Sequence, residues 1–259
     1  INLTALDTAV QHLKTAAAYT RKNEEKGRYY FIIGQLFNRL GHPDSANIAF
    51  DKVIGLNRKI PRVYLINAHL QKIRNAQDSG ENSEQLLEYL TRLEENRENR
   101  PYLDKIYRQL GEFHRENGSD SLALAYYNKS LQVTDNEPYL NSLNYNDLAE
   151  YNFDRNEYRK AGSYYDSVLM NLPDNSRTYR RIQKKRDNLD DVIKYEEVVQ
   201  YVDSVLFLHG MSAVEREIYF QVYIDDLRMA EQEEQQKKEQ QARAGLEFFS
   251  QSPGGKENQ

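Results

Sequence analysis

The feature that most constrains this chain is a spacing that recurs three times. Counting from Gly34, an alanine stands twelve residues on at Ala46 and an aromatic sixteen on at Phe50. The same steps lead from Gly111 to Ala123 and Tyr127, and from Ala149 to Ala161 and Tyr165. An aromatic lies four residues before each reference position (Tyr30, Tyr107, Tyr145), and an aliphatic directly before it (Ile33, Leu110, Leu148). The stretches after the second aromatic also correspond: Asp51-Lys52-Val53-Ile54, Asn128-Lys129-Ser130-Leu131 and Asp166-Ser167-Val168-Leu169. Such agreement is an internal repeat, and periods of about 20–50 residues belong to arrays whose units stack only on their neighbours. Two helices approach closely only where a small residue replaces a bulky one. Gly34, Gly111 and Ala149 therefore read as close-approach positions on first helices, and Ala46, Ala123 and Ala161 on second helices. The large aromatics are expected to fill the space between neighbouring units.

These residues resemble the tetratricopeptide repeat, a helix-turn-helix unit of about 34 residues. Pro173 stands twenty-four residues after Ala149, where that repeat often ends its second helix. A degenerate unit is also readable. Ala68 lies thirty-four residues after Gly34, and Leu86, Leu90 and Leu93 carry second-helix spacing, displaced within the polar linker Asp78-Ser79-Gly80-Glu81-Asn82. Ala9, Leu13 and Ala16 form half a unit, so the chain is expected to begin inside an array, as a fragment of a longer protein. Gly41 and Gly118 are predicted to close first helices in a left-handed conformation. Asp44, Asp120 and Asn156 are predicted to cap second helices through their side chains. The expected fold is all-α: a tetratricopeptide-repeat helical solenoid over 1–173, starting mid-repeat, a C-terminal helical extension over 174–245, and a disordered tail over 246–259.

Composition agrees. With 12 Gly and 6 Pro, and no alternating Val and Ile runs, a sheet protein is disfavoured. No apolar run approaches the ~20 residues that a membrane-spanning helix needs. The cysteine count of 0 excludes disulfides, cysteine-ligated zinc and a thiol nucleophile. Lys and Arg total 35 against 40 Asp and Glu, which excludes a strongly basic nucleic-acid binder. Trp is 0 and Tyr 20, so aromatic packing falls mostly to tyrosine.

Beyond Pro173 the pattern changes. The basic run Arg180-Arg181-Ile182-Gln183-Lys184-Lys185-Arg186 reads as a charged helix face neutralised by Asp187, Asp190 and Asp191, in preference to a membrane or nucleic-acid site. Val192, Tyr195, Val199, Val202 and Leu206 follow at helical spacing. A break at His209-Gly210-Met211 leads to a capping box, Ser212 with Glu215. Ile218, Tyr219, Val222, Leu227 and Met229 are apolar positions of a further helix, which turns almost wholly polar from Glu231 to Gln241. Phe248-Phe249 form a candidate docking motif, with packing on the last helix as the alternative.

The run from Tyr179 to Ile193 is similar to one in the SprE/PorW lipoproteins of the Bacteroidetes type IX secretion and gliding machinery. So are Asp203-Ser204-Val205-Leu206, Ser212, the Glu215 to Asp226 helix, and the repeat end Tyr164-Tyr165-Asp166-Ser167-Val168-Leu169. The resemblance implies a non-catalytic periplasmic scaffold at the outer membrane, without cofactors. It would couple the outer-membrane translocon to the periplasmic ring through protein contacts, its lipid anchor lying outside these residues. A generic peptide-binding adaptor or co-chaperone is the alternative, and a regulatory domain of a larger enzyme a third reading.

Carrying the repeat's partner-facing first-helix positions over by offset selects Arg28, Gln35, Asn38, Arg39, Arg62, His69, Lys72, Lys105, Arg108 and Arg115. The set is mostly basic and would suit an acidic or carboxylate-bearing segment. The competing reading is a solvated helix face neutralised by Glu112 and Glu116. Phe31, Glu112 and Glu150 depart from the carboxylate-clamp pattern of co-chaperones. Of His12, His42, His69, His114 and His209, none forms a zinc-protease motif, and His114 is expected in the core. No glycine-rich phosphate loop or nucleophile elbow appears.

Overall fold

The structure, a computed structural model, describes residues 3–80, 82–133 and 137–250. Among them are eleven α-helices and no strand. The chain divides into two compact units, one ending at Asp190 and one starting at Asp191.

The first unit holds α1 (Leu3–Tyr19), α2 (Asn23–Arg39), α3 (Pro43–Leu56), α4 (Arg62–Asp78), α5 (Ser83–Glu95), α6 (Leu103–Glu116), α7 (Asp120–Leu131), α8 (Pro138–Asp154), α9 (Tyr158–Met170) and the start of α10 (Arg177–Gly210). The most extensive packing joins α2 to α3, α6 to α7 and α8 to α9. Looser contacts link α3 to α4, α5 to α6 and α7 to α8. Helices α2, α4, α6 and α8 also touch in sequence, forming one row.

The three tight pairs are those that carry the repeated spacing. Ala46, Ala123, Ala149 and Ala161 are fully buried, as are Phe50, Tyr127 and Tyr165. The aromatics sit within each pair and also reach the next unit: Phe50 shares a core with Leu65 and Ala68 of α4, and Tyr127 with Leu148 of α8. A Cβ placed on Gly34 would lie 2.4 Å from Cε1 of Phe50, and one on Gly111 2.5 Å from Cε1 of Tyr127. Each glycine thus leaves the space that the ring of the following helix fills. The pair α4 and α5 lacks this device and packs loosely. Its Leu86, Leu90 and Leu93 instead join a core with Ile66, Ile73, Ile106 and Leu110 of α4 and α6.

Turn chemistry follows one geometry in all three pairs. Gly41 and Gly118 have φ of 77° and 72°, and Asn156 takes the same left-handed conformation at 60°. The next amide then reaches back to the helix: His42 N donates to Phe37 O at 2.9 Å, Ser119 N to His114 O at 2.8 Å, and Glu157 N to Asn152 O at 2.9 Å. This is the Schellman closure. It corrects the capping expectation. Asn156 ends a first helix, and Asp44 and Asp120 lie in first turns without a side-chain cap at the N-cap residues His42 and Ser119. With no side-chain cap hydrogen bond at those N-cap positions, the carboxylates act there as charges near the helix N-terminus, where a negative charge is favoured.

Two further expectations shift. On α1 the buried residues are Val10 and Ala17, with Leu13 packed beside them, whereas Ala9 and Ala16 are only partly covered. The stripe that meets Ile33 and Ala49 runs through Val10 because the larger side chain removes more apolar surface from water. The first unit also extends past Pro173. Ile182 and Leu189 of α10 are buried, Arg186 bonds Asp166 at 2.8 Å, and Lys185 bonds Glu150. The basic run is therefore paired to the preceding hairpin as well as to Asp190.

The second unit holds the rest of α10 and α11 (Ala213–Ser250). The capping box at its turn is formed: Ser212 N donates to Glu215 at 2.8 Å and Glu215 N to Ser212 Oγ at 3.3 Å. Helix α11 runs to Ser250, beyond the boundary expected at 245. The side chains of Phe248 and Phe249 lie outside the described residues, as does 251–259.

Candidate functional site

The row formed by α2, α4, α6 and α8 carries the ten positions selected from sequence. Only Arg28, Gln35 and Arg39, all on α2, stand exposed without a described partner. The others are engaged within the fold. Asn38 donates to Gln71 at 3.2 Å and accepts from Asn75 at 3.1 Å. Lys72 reaches Asp51 on α3. Arg62 donates to Asn99 through Nε at 2.9 Å and pairs with Glu98, both in the short helical turn Arg97–Tyr102. Lys105 lies 3.4 Å from Glu137.

The strongest of these contacts is between α6 and α8. Arg108 is buried, and its guanidinium donates to Asn144 at 2.8 Å and Asp147 at 2.9 Å, with Glu112 also at 2.9 Å. Arg115, on the exposed side, donates to the other oxygen of Asp147 at 2.9 Å. Asn144 continues inward to Ser130, and Ser130 to the carbonyl of Asp104, both at 2.7 Å. Burial pushes the Asp104 carboxyl above its usual range.

Sequence reasoning missed the partners that make this a ladder. Arg74 donates to Gln109 at 2.8 Å and pairs with Glu112, Gln109 donates to Gln77 at 2.7 Å, and Gln77 to Glu116 at 2.8 Å. Glu112 was expected to neutralise this face and does so; Glu116 takes its bond from a neutral glutamine. The rungs join residues 32 to 39 positions apart, about one repeat length. Polar residues recurring at that separation are the signal by which they could have been found.

His69 lines a cavity of about 470 Å³ with Arg62, Leu65, Leu93, Glu98 and Asn99. Its Nδ1 is hydrogen-bonded to the Tyr89 hydroxyl. Burial, with the charges of Lys72 and Arg62 second, pushes His69 down to about 4, and burial pushes Tyr89 up to about 12. Both are neutral at pH 7, so the contact is a hydrogen bond between two uncharged groups. His114 is buried and stacked on Tyr126, with ring centroids 5.3 Å apart, as expected of a core histidine. A second cavity, about 410 Å³, lies between α1, α2 and α3, with Ile33, Phe37 and Ala49 inside and Lys14 and Lys52 at its edge.

Among the described residues, no group of three or more His, Asp or Glu is placed to hold a metal ion, and no helix is long and apolar enough to cross a membrane. What the row can do chemically is limited by its own pairing. Arg62, Lys72, Lys105, Arg108 and Arg115 already face carboxylates, so the positive field expected from the sequence is largely cancelled on α4 and α6 and remains at Arg28 and Arg39 of α2. No family model matches this chain, and no curated protein matches it significantly.

Proposed function

We propose that the chain is a tetratricopeptide-type array acting as a non-catalytic scaffold of the SprE/PorW kind, on the periplasmic side of the outer membrane. In this reading it links the translocon and the periplasmic ring of a type IX secretion apparatus by protein contacts. The observation that carries it is the repetition in space of one helix pair, in which a ring fills the gap above a small residue: Phe50 over Gly34 and Tyr127 over Gly111. A solenoid of such pairs is stiff along its row, because each unit is bonded to the next through the ladder from Asn38 to Asp147. Stiffness suits a part that holds two assemblies at a set distance. The similarity of Tyr179 to Ile193 and of Tyr164 to Leu169 to that family supplies the identity of the assemblies.

The internal pairing of Arg62, Lys72, Arg108 and Arg115 counts against the alternative, capture of an acidic peptide on this row. Breaking those pairs would cost a peptide most of what its own carboxylates could contribute, since exposed pairs supply only ~0–1 kcal/mol each. Affinity isolation of the full-length protein from cells, with the translocon and ring components quantified by mass spectrometry, tests the proposal. Recovery of both supports it, and recovery of neither overturns it.

A further inference from the structure

The second unit exposes apolar surface that a helix in water normally covers. On α10, Val192, Tyr195, Val199, Val202 and Leu206 lie three or four residues apart on one face, and they are 39%, 72%, 56%, 44% and 61% exposed. On α11, Ile218, Tyr219, Phe220, Val222, Tyr223 and Ile224 are all at least 41% exposed. At 3.6 residues per turn those positions cover about two thirds of the helix circumference, and Glu217, Gln221 and Asp225 hold the remaining side. An exposed apolar face that wide marks a surface that another molecule covers. The two helices meet where Phe207 lies edge-on to Tyr219, centroids 5.8 Å apart. Leu206, Phe207, Gly210 and Met211 line a cavity of about 430 Å³ at that corner.

Charge says what the cover is. Residues 191–229 hold eight Asp and Glu against three Lys and Arg, a net charge of −5. The whole chain is also −5, so all other residues together balance to zero. The chain's formal charge excess is therefore concentrated around this apolar surface.

We propose that the α10–α11 surface binds an amphipathic basic helix of another protein. Such a helix would place apolar anchors at i, i+3 or i+4 and i+7 against the α10 stripe, and its Lys and Arg would face the acidic flanks. A second copy of this chain would bring like charge to like charge, which opposes pairing. An anionic lipid surface attracts basic segments and repels this one. The inference goes beyond the scaffold role and holds whichever apparatus the chain serves.

The test uses the full chain and three fluorescent helical peptides of equal length: one with a leucine face and lysine elsewhere, one with leucine and glutamate, and one with glutamine and lysine. Fluorescence anisotropy should show binding of the leucine–lysine peptide alone. Affinity should fall about tenfold or more between ~0.1 M and ~1 M salt, as the Debye length shrinks from ~10 to ~3 Å. The triple variant Val202→Ser, Leu206→Ser, Val222→Ser should lose about tenfold or more, as should Asp203→Lys with Asp225→Lys. All five residues are exposed, so circular dichroism should be unchanged in both variants. Equal binding of the glutamine–lysine peptide would reduce the effect to charge alone, and equal binding of the leucine–glutamate peptide to apolar contact alone; either overturns the proposal. So does absence of binding, self-association in sedimentation that the triple variant abolishes, or binding to phosphatidylglycerol vesicles that displaces the peptide.

Discussion

At Gly111 the α6 backbone faces the Tyr127 ring with no room for a methyl group, since a Cβ would lie 2.5 Å from Cε1 of that ring. Two effects then oppose each other. Alanine in a helix interior gains ~1 kcal/mol over glycine, while overpacking a filled core costs ~1–3 kcal/mol. The ring is fully buried and cannot swing away, so clash wins. Gly111→Ala should lower stability by about 1–2 kcal/mol in a urea melt. Gly55, on α3, has nothing within 4 Å of the same position, and Gly55→Ala should raise stability by up to ~1 kcal/mol. Gain at both sites would mean that the ring is not wedged against α6. His69 provides a second residue-scale test. Its pKa falls from the ordinary 6.5 to about 4 on folding, so the unfolded chain binds more protons in that window. Stability contributed by neutral His69 is therefore present above pH 6.5 and lost as pH falls toward 4. Relative to His69→Gln, the parent chain should lose up to ~1.4 kcal/mol per pH unit there. A constant difference across that range would show an unburied imidazole. The alanine–aromatic spacing was legible at this scale because a close approach leaves few residue types to choose from. Which nitrogen, carboxylate or hydroxyl His69 meets was not, because Tyr89 reaches it from twenty positions away.

Between elements, the bond that decides the α6–α8 contact is the one from Arg108 to Asp147. Arg108 has only 7% of its side chain exposed and Asp147 14%, so water contributes little to either charge. Removing one partner of a buried pair leaves the other uncompensated, which costs ~3–5 kcal/mol. Glu112 and Asn144 still reach Arg108, so Asp147→Ala should cost about 3 kcal/mol, the lower end of that range. Arg115→Ala, which removes an exposed partner of the same carboxylate, should cost no more than ~1 kcal/mol. Equal losses in chemical denaturation would contradict the placement of Arg108 inside and Arg115 outside. Offsets from Gly111 selected both arginines as ligands of a partner protein. Offsets place residues on a helix face, but they carry no information about what the neighbouring helix puts opposite. Here α8 puts Asp147 there, and the positions became links between α6 and α8.

Over the whole molecule, the boundary of the first unit has a measurable consequence. Ending the chain at 173 removes Ile182 and Leu189, which are 1% and 4% exposed, and uncovers the side of α9 and α8 that Arg186 and Lys185 bond. Burial of two large aliphatic side chains is worth ~1.5–3 kcal/mol each. A 1–190 protein should therefore be at least ~3 kcal/mol more stable than a 1–173 protein, read as a higher urea midpoint. Equal midpoints would place the end of the first unit at Pro173.

What the sequence by itself determined is the set of helices and the three tight pairs. Helical spacing, small residues at close approaches and left-handed turn residues are local devices that act within about twenty positions. The tertiary structure alone decided where the charges go. Asp51, Glu98, Glu137 and Asp147 come from other helices or turns, and an ion pair depends on distance in space, which no local pattern records. It also decided that the Val192 to Leu206 stripe, which reads in sequence like any core-facing helix, faces outward. A stripe is the same whether its cover is the same chain or another molecule. Burial depends on which surfaces the fold brings together, and here every residue of that stripe stays at least 39% exposed.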